Sequence, residues 1–197
     1  MYNHQSESKF LASAPPLLTS WLKEEGSLTD RLNQMTHAAQ LHVVHQEWIR
    51  AGWWEKYVLH YQNGSLWQRE ILMLCHGHIC WYAKTLVDES VFLRHRDFFS
   101  KVEQASLNQL LFREHKAHRQ SKVLGSFTSD AVEFHWVKQA LAQLTSNTQQ
   151  EQTASQTCFA DDITLWGRRS SFAIDAQSTF YLVEIFLPGL LDAIACA

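Results

Sequence analysis

The sequence predicts a single α+β domain, a mainly antiparallel sheet of about six strands with helices gathered on one side. Three observations predict it. Helical spacing comes first in the chain, followed by β-branched and aromatic runs with strand periodicity, one further helical stretch and more strands. Neighbouring strands are joined by short connections, which favours antiparallel pairing. The 197 residues, 46% hydrophobic and 19% charged, can build one core without disulfide staples.

Residues 1–16 read as a loose N-terminal segment ahead of a domain over 17–197. A helix starts at Pro15-Pro16, with Leu17, Leu18, Trp21 and Leu22 at helical spacing, and Gly26 stops it. Ser27 is a suitable N-cap for a second helix carrying Leu28, Leu32 and Met35, with Asp30 at its third position. Leu41 to Trp54 reads as a strand, with Gly52 as a possible bulge. After a turn at Asn63-Gly64-Ser65, residues 66–75 and 79–87 form a β-hairpin around His76-Gly77-His78. Phe98 to Phe112 has helical spacing. Val123 to Val137 alternates irregularly, with Val132, Phe134 and Trp136 on one face. The polar stretch 139–157 reads as a mobile surface insertion. Residues 163–174 and 179–187 are two closing strands, ended by Pro188-Gly189.

Composition excludes several classes. A net charge of -3 and a pI near 6.4 argue against a nucleic-acid binder held by a basic face. The four cysteines show no dense secreted framework, and the N-terminus lacks a signal-peptide layout. The apolar run Phe180 to Leu187 is far shorter than the roughly 20 residues a membrane span needs. A cytoplasmic protein without stable membrane insertion is expected. Eight Trp, eleven Phe and five Tyr (12% of the chain) are a large supply of bulky apolar surface for a chain this size.

Two charged residues stand in apolar strands. Glu184 lies in Phe180-Tyr181-Leu182-Val183-Glu184-Ile185-Phe186-Leu187, where a carboxylate is costly unless paired, hydrogen-bonded or protonated. Arg69 shares a strand face with Trp67, Ile71 and Met73, so an inward guanidinium there needs a carboxylate or an anionic ligand. The two could simply pair with each other or form a functional site. Of Arg168-Arg169, at most one points inside, either toward an anion or as a structural or solvated arginine. Cys75-His76-Gly77-His78-Ile79-Cys80 crowds four possible ligands into one tight turn, a spacing that matches no zinc site, so no metal is expected.

Four segments fall in the order found in the chorismate–pyruvate lyase family, which the chain resembles from about residue 17 to 188. They are Trp21-Leu22 through Gly26-Ser27-Leu28-Thr29-Asp30-Arg31-Leu32, then Arg69-Glu70-Ile71-Leu72-Met73-Leu74-Cys75, then Leu165-Trp166-Gly167-Arg168-Arg169-Ser170, then Glu184-Ile185-Phe186-Leu187-Pro188. The third and fourth match the family signatures W-G-R-R-S and E-[IL]-F-L-P. The resemblance implies helices that cover a closed ligand site, and a cofactor-free lyase splitting chorismate into 4-hydroxybenzoate and pyruvate, the first committed step of ubiquinone biosynthesis. It implies that Arg69 and Glu184 are catalytic and substrate-binding. Backbone positions at Leu28 and Leu107 would touch the ligand. A monomer with no nucleic-acid partner is expected.

The chain departs from the family pattern in three places. Leu107 sits in Ser106-Leu107-Asn108-Gln109-Leu110-Leu111-Phe112, which lacks the family's Pro and Gly. Ala83-Lys84-Thr85 replaces A-R-T, and Asp88 replaces a following Pro. The stretch between Phe112 and Leu165 is longer than in relatives. The alternative reading is a non-catalytic ligand-sensing domain of the same fold. In bacterial transcription regulators such domains travel with a helix-turn-helix region, for which the 16 residues before Leu17 leave too little room. A third reading has Arg69 and Glu184 as a purely structural pair.

Overall fold

A computed structural model describes residues 10–61, 64–102, 107, 111, 117–147, 160 and 162–196. The helices are α1 (Pro16–Leu22), α2 (Leu28–Thr36), α3 (Trp53–Val58), α4 (Glu89–Arg94), α5 (Arg96–Val102), α6 (Val132–Asn147) and α7 (Gly189–Ala195). The strands are β1 (Ala39–Arg50), β2 (Ser65–Cys75), β3 (His78–Asp88), β4 (His118–Phe127), β5 (Leu165–Asp175) and β6 (Ser178–Phe186). They form one antiparallel sheet in the order β1-β2-β3-β6-β5-β4. The sheet is two three-stranded meanders, β1-β2-β3 and β4-β5-β6, joined where β3 pairs with β6. Among the described residues, no helix is long and apolar enough to cross a membrane.

Local chemistry accounts for the elements that the sequence foretells. Ser27 caps α2, its Oγ accepting from the Asp30 backbone N–H at 3.0 Å. The β2–β3 connection is a tight turn in which His76 (φ 51°) and Gly77 (φ 80°) are both left-handed, the twist a two-residue hairpin requires. Strands β2, β3, β5 and β6 match the expected ranges within about two residues, the ordinary uncertainty of element ends.

Other expectations are corrected. Helices cover both faces of the sheet instead of one. The inner face packs against α1, α2, α4, α5 and α7, and the outer face against α3 and α6. The strand expected over 41–54 stops at Arg50. Gly52 is no bulge but opens α3, where its N–H donates to Glu55 Oε2 at 2.9 Å. The irregularity of β1 falls instead between Val43 and His45.

The alternation expected through 137 ends with β4 at Phe127, and α6 replaces both its tail and the first part of the proposed insertion. Phe134, Val137, Ala140, Leu141 and Leu144 recur at spacings of three and four and are buried. This stripe fixes the helix despite the Gln and Thr between its members. Residues 148–157 of the proposed insertion lie outside the described residues. The expected helix over 98–112 holds for Phe98–Val102 and at Leu107 and Leu111, and its other positions lie outside the described residues. Helices α4 and α7 have no counterpart in the sequence reading.

The loose segment expected over 1–16 is anchored at least from residue 10. Phe10 meets Trp166 edge-on at 5.0 Å, and Ala14 is buried. Residues 1–9 lie outside the described residues. The surplus rings fill the core more than they wall a pocket. Phe92, Phe99, Phe98, Phe180 and Phe172 form a chain of ring contacts beneath α4 and α5.

The packing of α6 gives a direct test. Phe134 is fully buried between α6 and the sheet. Phe134→Ala is expected to cost about 3–5 kcal/mol in urea unfolding. An unchanged midpoint would return this segment to the surface.

Candidate active site

The site lies on the inner face where the two meanders meet. On β3, Ala83 pairs with Glu184 of β6, which in turn pairs with Arg168 of β5. One step along, Arg69 of β2 pairs with Thr85 of β3, and Thr85 with Leu182 of β6. Because side chains alternate across a sheet, these residues share a face. Arg69, Thr85, Ala83, Leu182 and Glu184 line one cavity. Helical residues Thr29 and Leu107 cover it, and Trp81 is its one aromatic wall among the described residues. The space open to the centre of a water-sized sphere is about 20 Å³, room for roughly one water.

Strand β6 is buried on both faces, so its carboxylate needs a cation. The structure supplies Arg168, whose Nε donates to Glu184 Oε2 at 2.6 Å, with both side chains at most 1% exposed. The guanidinium also donates through Nη1 to the Glu24 carbonyl. Gly167 makes this contact possible. A Cβ there would stand 2.3 Å from the Glu184 carbonyl oxygen, so only glycine lets β5 approach β6 this closely.

A cationic clasp holds the α1–α2 loop over this edge of the site. Arg119 Nη1 donates to the Glu25 carbonyl at 3.0 Å and to Glu25 Oε2 at 2.8 Å. Lys122 donates to the Lys23 carbonyl at 3.0 Å and bonds the other Glu25 oxygen. Arg31 bridges Glu24 at 3.2 Å. Burial pushes the Glu25 carboxyl up, but the bonds and charges of Lys122 and Arg119 outweigh it and hold it below the usual carboxylate value.

The sequence-predicted residues divide as follows. Arg69, Glu184 and Leu107 come together at the cavity. Leu28 is the first residue of α2 with its side chain in the core, and the wall residue from this segment is its neighbour Thr29. Of Arg168-Arg169, Arg168 is the inward one. Sequence reasoning offered Arg69 as the natural partner of Glu184 and missed the pairing to Arg168. The alternation Arg168, Ser170, Phe172 on one face was its only signal. It also missed Arg119 and Lys122, which sit on a strand read too late in the chain.

The departure at Lys84 concerns the opposite face. There Lys84 lies 3.5 Å from Glu70 and 3.9 Å from Glu55, with its ammonium 4.0 Å over the Trp136 ring. Burial lowers the Lys84 value, opposed by the charges of Glu70 and Glu55. Cys75 and Cys80 point into the core, while His76 is exposed in the turn.

The family model described as "Chorismate lyase" matches residues 4–195. A probable chorismate pyruvate-lyase of Pseudomonas fluorescens (strain Pf-5) is 29% identical over 180 residues, covering 90% of this chain and 82% of the relative. One from Shewanella sp. (strain ANA-3) is 28% identical over 191 residues, covering 95% and 88%. Among solved structures, the effector domain of PhnF from Mycobacterium smegmatis superposes with a TM-score of 0.53 at 14% identity, covering 84% of this chain and 90% of that one. The C-terminal domain of the histidine utilization repressor from Pseudomonas syringae pv. tomato gives a TM-score of 0.50 at 12% identity, covering 76% and 92%. These two share the fold alone. With the family match running over nearly the whole chain, this protein belongs to the chorismate lyase family.

Proposed function

We propose that the chain splits chorismate into 4-hydroxybenzoate and pyruvate, as a cytoplasmic, cofactor-independent monomer at the first committed step of ubiquinone biosynthesis. The observation that carries this reading is the joint placement of Arg69 and Glu184 on one small inner-face cavity. Family membership points the same way.

The reaction balances without an external reactant. The ring C3–O bond breaks, the hydrogen on C4 leaves, and the methylene carbon of the enolpyruvyl group gains one. The ring becomes aromatic and the ether oxygen becomes the ketone of pyruvate. The reaction is strongly downhill, so the protein has to bind, orient and stabilise charge.

In this reading the Arg69 fork holds the ring carboxylate. Glu184 accepts the ring hydroxyl, and Arg168 fixes the carboxylate that does so. The backbone N–H groups at Leu28 and Leu107 complete the polar contacts. Trp81, Ile71 and Leu182 enclose the ring and keep water out. Since the cavity holds about one water, its walls have to shift to admit the substrate and release the product.

Purified protein given chorismate, with no metal or cofactor added, is expected to form pyruvate and 4-hydroxybenzoate in equal amounts. Tight binding without turnover would instead support the ligand-sensing reading. Arg69→Ala is expected to lower kcat/KM by about 100-fold or more with the fold retained. Unchanged kinetics in the folded variant would remove Arg69 from the site. Glu184→Ala is expected to lose turnover to a similar degree. It also strands the buried Arg168, which costs about 3–5 kcal/mol in denaturant unfolding. Glu184→Gln keeps the volume, and full activity in that variant would leave Glu184 with a structural role only.

A further inference from the structure

The contacts above hold one carboxylate, but a chorismate molecule carries two, the second on its enolpyruvyl arm. Beside Glu184 the inner face holds further buried polar atoms. Among the described residues, Arg168 Nη2, Ser170 Oγ, and Arg119 Nε and Nη2 are buried and make no hydrogen bond. Arg168 and Ser170 are two apart on β5 and leave the sheet on the same side. They stand opposite Glu184 and Leu182, both of which line the cavity. Arg119 reaches in from β4, with its guanidinium 5.1 Å from the Phe172 ring centre and its side chain 10% exposed.

The electrostatics point the same way. Burial first, then the charge of Arg168, pull the Arg119 guanidinium below its ordinary value, so two like charges are held close together. Arg119 and Lys122 are both taken up by the exposed Glu25, and Arg168 by Glu184. Donors without acceptors and crowded guanidinia are both costly, and one carboxylate between them removes both costs.

We propose that Arg168, Arg119 and Ser170 form a second anion subsite, which takes the carboxylate of the enolpyruvyl arm. This rests on the reading in which Arg69 holds the ring carboxylate and Glu184 the ring hydroxyl. The ether oxygen sits on the ring carbon next to the one bearing that hydroxyl. The arm therefore leaves the ring at the Glu184 end, on the side where Arg168 bonds it. The subsite orients the arm. It also places positive charge where the departing oxygen gains electron density as the C–O bond breaks.

The test compares a ligand with both carboxylates against one with the ring carboxylate alone. For Arg119→Gln and Ser170→Ala, the KM for chorismate and the Kd for 4-hydroxybenzoate are measured beside the unaltered protein. In Arg119→Gln the chorismate KM is expected to rise about tenfold or more, with the 4-hydroxybenzoate Kd within about twofold. Ser170→Ala, which removes a single hydroxyl, is expected to show the same split at about three- to tenfold, and it decides the matter if Arg119→Gln disturbs the fold. Equal weakening of both ligands, or no change for chorismate, overturns the subsite and leaves the proposed activity standing. If the unaltered protein binds chorismate without converting it, the activity falls and the subsite is judged on the same split in Kd. No chorismate binding at all overturns both.

Discussion

The buried contact between Arg168 and Glu184 is the constraint around which the inner face is built. A carboxylate in a strand covered on both sides is costly unless paired, hydrogen-bonded or protonated, and here it is paired. That partner comes from the adjacent strand at the directly opposite position, so the β5–β6 register is fixed by the pair. Gly167 is tied to the same contact, because any side chain there would collide with the Glu184 backbone. The guanidinium then extends to the Glu24 carbonyl, which ties the α1–α2 cover to the sheet. Strand pairing and cover thus meet in one arginine, bonded to a glutamate of the cavity wall.

The division of labour between the two sheet faces follows from strand alternation. Ala83 and Thr85 face the cavity, and Lys84 between them faces α3 and α6. The inner face gathers cations around a small void. The outer face buries one lysine between two glutamates and an indole. A chain with a net charge of -3 can therefore hold several buried cations on its inner face, because charge is sorted by face and not averaged over the chain.

Much of this was legible in the sequence. The strands around the site carry continuous apolar runs broken by single charges, so Arg69 and Glu184 stood out against their neighbours. The hairpin turn at His76-Gly77 and the cap at Ser27 are local signals that tertiary structure did not override. What failed was non-local or masked. The partner of Glu184 depends on which strand lies beside β6, and no local pattern states that. Helix α6 was hidden because Val132, Phe134 and Trp136 mimic strand alternation before the three–four spacing of Val137, Ala140, Leu141 and Leu144 takes over. Arg119 and Lys122 precede the strand as it was read, so the clasp they form could not be anticipated.

The clasp and the buried pair respond differently to the surrounding solution. Glu25 is 72% exposed where Arg119 and Lys122 grip it, whereas Arg168 and Glu184 are sealed. At physiological ionic strength charges in water are screened beyond about 8 Å, and exposed pairs weaken further as salt rises, while buried pairs hardly change. Dissolved salt therefore loosens the cover over the cavity while leaving the strand register and its glutamate in place. The molecule joins a salt-sensitive latch to a salt-insensitive floor.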